Sequence, residues 1–95
     1  MVILAEELKE KVEGVMRRRG VVRASLFGSM ARGEATAESD VDFLVEFEEG
    51  RTLLDLSGLR LDLREVLQRE VDVATPNSLH PQMRDRILSE RVRIL

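Results

Sequence analysis

The 95-residue sequence is 43% hydrophobic and 35% charged, a composition that suits one soluble domain over residues 1–95 with a core large enough to fold. Its net charge of -3 argues against non-specific nucleic-acid binding, which rests on neutralising phosphates, and three phenylalanines as the only aromatics give no platform for stacking bases. The absence of cysteine excludes disulfides and thiolate metal sites and fits a reducing compartment.

The opening Val2-Ile3-Leu4-Ala5 runs straight into Glu6-Glu7. It lacks a basic lead and is too short for a signal peptide, and no stretch reaches membrane-spanning length. A cytoplasmic protein is expected, with no membrane and no direct nucleic-acid partner. Residues 3–19 then read as a helix, with Leu4, Leu8, Val12, Val15 and Met16 on one face. Glu6 and Glu7 in the first turn and Arg17-Arg18-Arg19 in the last match the helix dipole, and Gly20 can close it. The arginines read as a solvated helix end before a phosphate patch. Val21 to Phe27 follows as a strand, with Val22, Ala24 and Leu26 expected on one face.

Gly28-Ser29 comes directly after that strand, and Met30-Ala31-Arg32 can form a short helix. A strand, a small-residue turn and a helix start together aim backbone N–H groups at an anion. For a lone Gly-Ser an ordinary tight turn is the better reading. Residues 33–39 form a loop. Val41, Phe43, Val45 and Phe47 then alternate at period 2, as a half-buried strand requires. Asp40 and Asp42 project from the same side of such a strand, with Cα atoms roughly 6.5 Å apart.

Glu48-Glu49-Gly50 is a turn, and Thr52 or Asp55 can cap a helix to about Gln68. Its expected core positions are Leu53, Leu56, Leu59, Leu63, Val66 and Leu67. Gly58 within it can allow close packing, while Asp55 and Asp62 read as solvent-facing acids. Val71 to Ala74 is a short third strand carrying Asp72 opposite to Val71 and Val73. A last helix is expected from Ser78 to about Arg93, with Pro81 in its first turn and Leu79, Met83, Ile87 and Leu88 turned inward. His80, the single histidine, reads as structural. The alternation of helices and strands is that of an α/β (α+β) chain.

No one of these elements is specific, but their order is. Leu26-Phe27-Gly28-Ser29-Met30-Ala31-Arg32-Gly33, then Ser39-Asp40-Val41-Asp42, then Val71-Asp72-Val73 resemble the nucleotidyltransferase superfamily that includes DNA polymerase beta. The match is nearest to the minimal nucleotidyltransferases, the antitoxin partners of HEPN-domain toxins, and it covers nearly the whole chain without a departure at a catalytic position. The resemblance implies one small mixed β-sheet flanked by helices. It implies two Mg²⁺ ions held by Asp40, Asp42 and Asp72, with ATP as substrate. Gly28 and Ser29 would hold the β- and γ-phosphates. Arg32 is either a further phosphate contact or a surface partner of Glu34 or Glu38.

The implied reaction transfers AMP from ATP to a hydroxyl, a tyrosine of a cognate HEPN toxin with which the chain would form a hetero-oligomer. Two alternatives stand beside it. One is an antitoxin that neutralises by binding alone; the other is a subunit of a nucleotidyltransferase for a small molecule such as an antibiotic.

Overall fold

The computed structural model describes residues 5–36 and 38–95. The first helix, α1, runs Ala5–Arg18, so the expected start at residue 3 and the core position Leu4 lie outside the described residues, as does Ala37 in the loop. Two strands, β1 (Val21–Phe27) and β2 (Val41–Phe47), precede α2 (Leu53–Leu67). The chain continues through β3 (Val71–Ala74), a 3-10 turn at Pro76–Ser78, α3 (Pro81–Glu90) and β4 (Val92–Arg93). The four strands form one mixed sheet in the order β3-β2-β1-β4, with β2 and β3 parallel and the other pairs antiparallel. No helix among the described residues is long and apolar enough to cross a membrane.

The core lies between the sheet and the first two helices. Leu8, Val12 and Met16 of α1 meet Leu59 and Leu63 of α2 over Leu26, Val41, Phe43 and Val45, all of them essentially without solvent contact. This burial is the main force holding the sheet in register, because slipping one strand by a residue would turn its apolar set outward. By alternation, Phe27, Asp42 and Asp72 belong to the opposite face.

Three expectations about burial are corrected here. Val22 is half-exposed, because the pairing shifts between Val21 and Arg23 and leaves Val22 as the extra residue of a bulge. Leu53 and Val66 are exposed on α2, where Leu59 and Leu63 alone are fully buried and Leu56 and Leu67 pack at the margin. The last helix ends at Glu90, three residues early, and Met83 on it is exposed. Val92–Arg93 instead pairs with β1 as an edge strand, and Ile94 enters the core behind it.

Local chemistry explains the helix ends. Thr52 Oγ1 accepts from Leu54 N–H at 3.2 Å, and Asp55 Oδ2 accepts from Thr52 N–H at 3.0 Å. Both expected caps of α2 therefore act together, as a capping box. Thr52→Ala should lower unfolding free energy by about 1 kcal/mol, readable as a shift of the urea midpoint. His80 is structural, its Nδ1 accepting from Gln82 N–H at the start of α3. Asp62 is not a free surface acid: its Oδ2 accepts from Arg19 Nε at 2.8 Å. Gly58 makes room for that arginine, since a Cβ there would collide with the guanidinium.

Candidate active site

The expected site residues occupy one end of the sheet. The register pairs Phe27 with Asp42 across β1 and β2, and Asp42 with Asp72 across β2 and β3. Gly28, the first residue beyond β1, is thereby brought against Asp42, and Asp72 stands on Asp42's other side. Adjacent strands lie about 4.8 Å apart, so the two carboxylates come within a hydrogen bond of each other without any loop to place them. Asp40 is exposed and immediately precedes β2.

Gly28 has φ +69, in the left-handed region, and a Cβ built on it would run into Asp42 Oδ2 and lie 3.5 Å from Asp42 Cγ. Both observations require glycine. The expected short helix after it is a single helical turn. Arg32 N–H donates to Gly28 C=O at 3.2 Å, and Glu34 N–H to Ser29 C=O at 2.9 Å. Gly33, again at positive φ, ends the turn before a helix can propagate. The leading N–H groups, those of Ser29 and Met30, stand outside these bonds, at the end of a helical turn that favours anions.

Burial and neighbouring charge at this end of the sheet act most strongly on Asp42. Its carboxyl is pushed up to about 6, first by burial, then by the charges of Asp72 and Asp40 and a hydrogen bond with Asp72. Arg32 opposes the shift weakly. A native carboxyl that titrates near 6, against 3.8 ordinarily, holds more protons folded than unfolded between those values. The metal-free protein should therefore lose stability as pH rises from about 4 to about 6, and the loss should level off above. In EDTA, Asp42→Asn should melt higher than the parent at pH 7, with the advantage shrinking toward pH 4. An advantage independent of pH would contradict the raised value.

Arg32 is engaged in ion pairs, as one of its two readings expected. Its Nε lies 3.1 Å from Glu34 Oε2, and its Nη1 lies 3.7 Å from Glu90 Oε2. Glu38 is not among these partners. Beside it a cleft of about 370 Å³ separates the Gly28 turn from α3, lined by Phe27, Gly28 and Arg32 and by Met83, Arg86 and Glu90. Sequence reasoning missed the α3 side of this cleft, because no motif links residues 83–90 to a turn more than fifty positions earlier. Two hollows of about 400 and 450 Å³ lie elsewhere, near the end of α2 and beside residues 45–51; neither they nor the cleft is lined by Asp40, Asp42 or Asp72, and the cleft reaches the site only through Gly28.

The donor set at the sheet end suits a hard divalent cation. Carboxylate oxygens are magnesium's preferred ligands, and that ion is usually held by one or two of them with water and phosphate completing its shell. No three acidic or histidine side chains among the described residues form a finished cage. The repulsion between the Asp42 and Asp72 carboxylates is what a bound cation would offset.

Comparison with known proteins shows the family and the fold. Residues 3–94 match the family model described as nucleotidyltransferase domain. A chain of Methanocaldococcus jannaschii, named as a candidate protein adenylyltransferase, is 54% identical over 89 residues, covering 94% of this chain and 96% of its own. The protein adenylyltransferase MntA of Thermococcus cleftensis is 40% identical over 77 residues, covering 81% of this chain and 78% of its own. Among solved structures, a candidate minimal nucleotidyltransferase superposes with a TM-score of 0.79 at 44% identity, over 95% of both chains. A chain from the complex of a tri-AMPylated Shewanella oneidensis HEPN toxin with an MNT antitoxin shares the fold, with a TM-score of 0.72 at 16% identity, over 97% of this chain and 72% of that one. The expected small mixed sheet with flanking helices is thus both the observed fold and that of these relatives. With the family model spanning nearly the whole chain, this protein belongs to the nucleotidyltransferase domain family, as a nucleotidyltransferase of its minimal, adenylyltransferase-like kind.

Proposed function

We propose that the protein is a Mg²⁺-dependent protein adenylyltransferase that moves AMP from ATP to a tyrosine hydroxyl of a cognate HEPN-domain toxin, and so acts as its antitoxin. The observation that carries this reading is the placement of Asp42 between Gly28 and Asp72 at one sheet end. The names of the relatives support the reaction, and the S. oneidensis complex supports the kind of partner.

In this reading Asp40, Asp42 and Asp72 would hold two magnesium ions, which would supply charge neutralisation at the α-phosphoryl group. The chain's own groups do the rest. Gly28 lets the backbone approach the β- and γ-phosphates, and Ser29 adds a hydroxyl donor. Asp72 draws the proton from the acceptor hydroxyl as its oxygen bonds the α-phosphorus and pyrophosphate leaves. The acceptor arrives on another protein, in a hetero-oligomer, as the toxin–antitoxin complexes among the fold's relatives suggest.

A second reading, neutralisation by binding alone, draws on Leu53, Leu54 and Leu61, which leave apolar surface exposed on α2. Incubating the purified protein with its genomic neighbour and Mg²⁺-ATP separates the readings. A neighbour whose intact mass rises by whole AMP units while its toxicity falls supports transfer. A tight complex with unchanged mass supports binding alone, and modification only of small hydroxylated compounds supports an antibiotic-type enzyme.

A further inference from the structure

We propose that Arg86 joins Arg32 in binding the terminal phosphates of ATP, and that Glu90 is the internal anion those phosphates displace. The inference rests on the nucleotide reading above and assigns α3 a part in the same site. Arg32 and Arg86 come from different elements, the Gly28 turn and α3, yet both line one cleft together with Gly28. Glu90 is shared by both: its Oε2 lies 3.7 Å from Arg32 Nη1, and its Oε1 lies 3.3 Å from Arg86 Nε. One carboxylate offering an oxygen to each of two guanidiniums occupies the position that a phosphate group's oxygens would take.

The contacts are loose, which is what a displaceable anion requires. Side-chain exposure is 37% for Arg32, 34% for Glu90 and 70% for Arg86, so water screens all three and the resting pairs are weak. Arg32 also makes a shorter contact with Glu34, at 3.1 Å, through its Nε rather than the Nη1 that faces Glu90. A phosphate brings more charge and more oxygens than one carboxylate. The turn beside the cleft would hold it in place while the arginines exchange partners. Glu90 then keeps two cations paired when no nucleotide is bound, and lowers affinity by competing.

The test is calorimetric titration with a non-hydrolysable ATP analogue in Mg²⁺, using AMP as control. Glu90→Gln should bind the ATP analogue about two- to fivefold more tightly, as expected for release from a weak competing pair. Arg86→Gln should bind it about three- to tenfold more weakly, and should cancel most of the gain from Glu90→Gln in the double variant. Affinity for AMP, which lacks the terminal phosphates, should be unchanged throughout. Glu90→Gln that binds the analogue equally or more weakly, with a melting temperature close to the parent's, would overturn the proposal. So would an Arg86→Gln variant with parental affinity. If the parent itself failed to bind the analogue, the adenylyltransferase reading would fall and this inference with it; parental binding that Asp42→Asn abolishes and Glu90→Gln leaves alone sinks only the inference.

Discussion

Asp42→Asn should reduce AMP transfer by more than about 100-fold while leaving the protein folded. The magnitude follows from the position of the residue. Outer-shell partners of a metal site typically contribute 10- to 100-fold, and a carboxylate that touches the ions directly should exceed them. Asparagine keeps the shape of aspartate and removes its charge, so neither the β1–β2 nor the β2–β3 pairing should change. Relief of the burial cost and the repulsion that together raise Asp42 to about 6 should make the metal-free variant more stable at neutral pH than its parent. Loss of activity together with a raised melting temperature distinguishes a lost ligand from a lost fold. Steady-state transfer rates and melts in EDTA on one preparation supply both readings. Transfer near the parental rate would remove Asp42 from the metal site.

Gly28→Val should abolish detectable ATP binding and destabilise the fold as well. Two separate costs act at this position. A residue with a side chain at φ +69 carries about 1–2 kcal/mol of backbone strain, and branching at Cβ makes valine worse than alanine. The new Cβ would also press against the Asp42 carboxylate. The second cost vanishes when Asp42 is shortened, so the pair can be separated by a double-mutant cycle. Gly28→Ala should be less destabilising in an Asp42→Ala background than in the parent, with the remainder reporting backbone strain. Equal costs in both backgrounds would mean that Gly28 and Asp42 do not press on one another.

Much of this arrangement was legible in the sequence because it is local. Period-2 alternation in Val41 to Phe47 and the Gly-Ser pair after Phe27 marked the ends of β1 and β2 to the residue. The core face of α1 was readable for the same reason, its apolar residues recurring at helical spacing. What escaped was set by tertiary partners. Val22 alternates correctly but lies in a bulge, which only its pairing with β2 defines. Val92–Arg93 continues a helical pattern in sequence, yet β1 has an open edge beside it and captures those residues as a strand. Arg19 looked like a solvated helix end until α2 brought Asp62 to it. Leu53 and Val66 match the apolar period of α2, but the helix turns only a narrow stripe, around Leu59 and Leu63, onto the core. The α3 wall of the cleft depends on how that helix sits beside the turn, and no spacing in the chain encodes it.

The central claim is that this sheet end transfers the α-phosphoryl group of ATP, with its adenosine, to a partner protein. The direct measurement compares ATP labelled on the α-phosphorus with ATP labelled on the γ-phosphorus, each incubated with the protein, its cognate partner and Mg²⁺. We expect label from the α position to appear on a tyrosine of the partner, label from the γ position to leave as pyrophosphate, and both outcomes to fail with Asp42→Asn. Gamma label on the partner, or a tight complex that carries neither label, would contradict it.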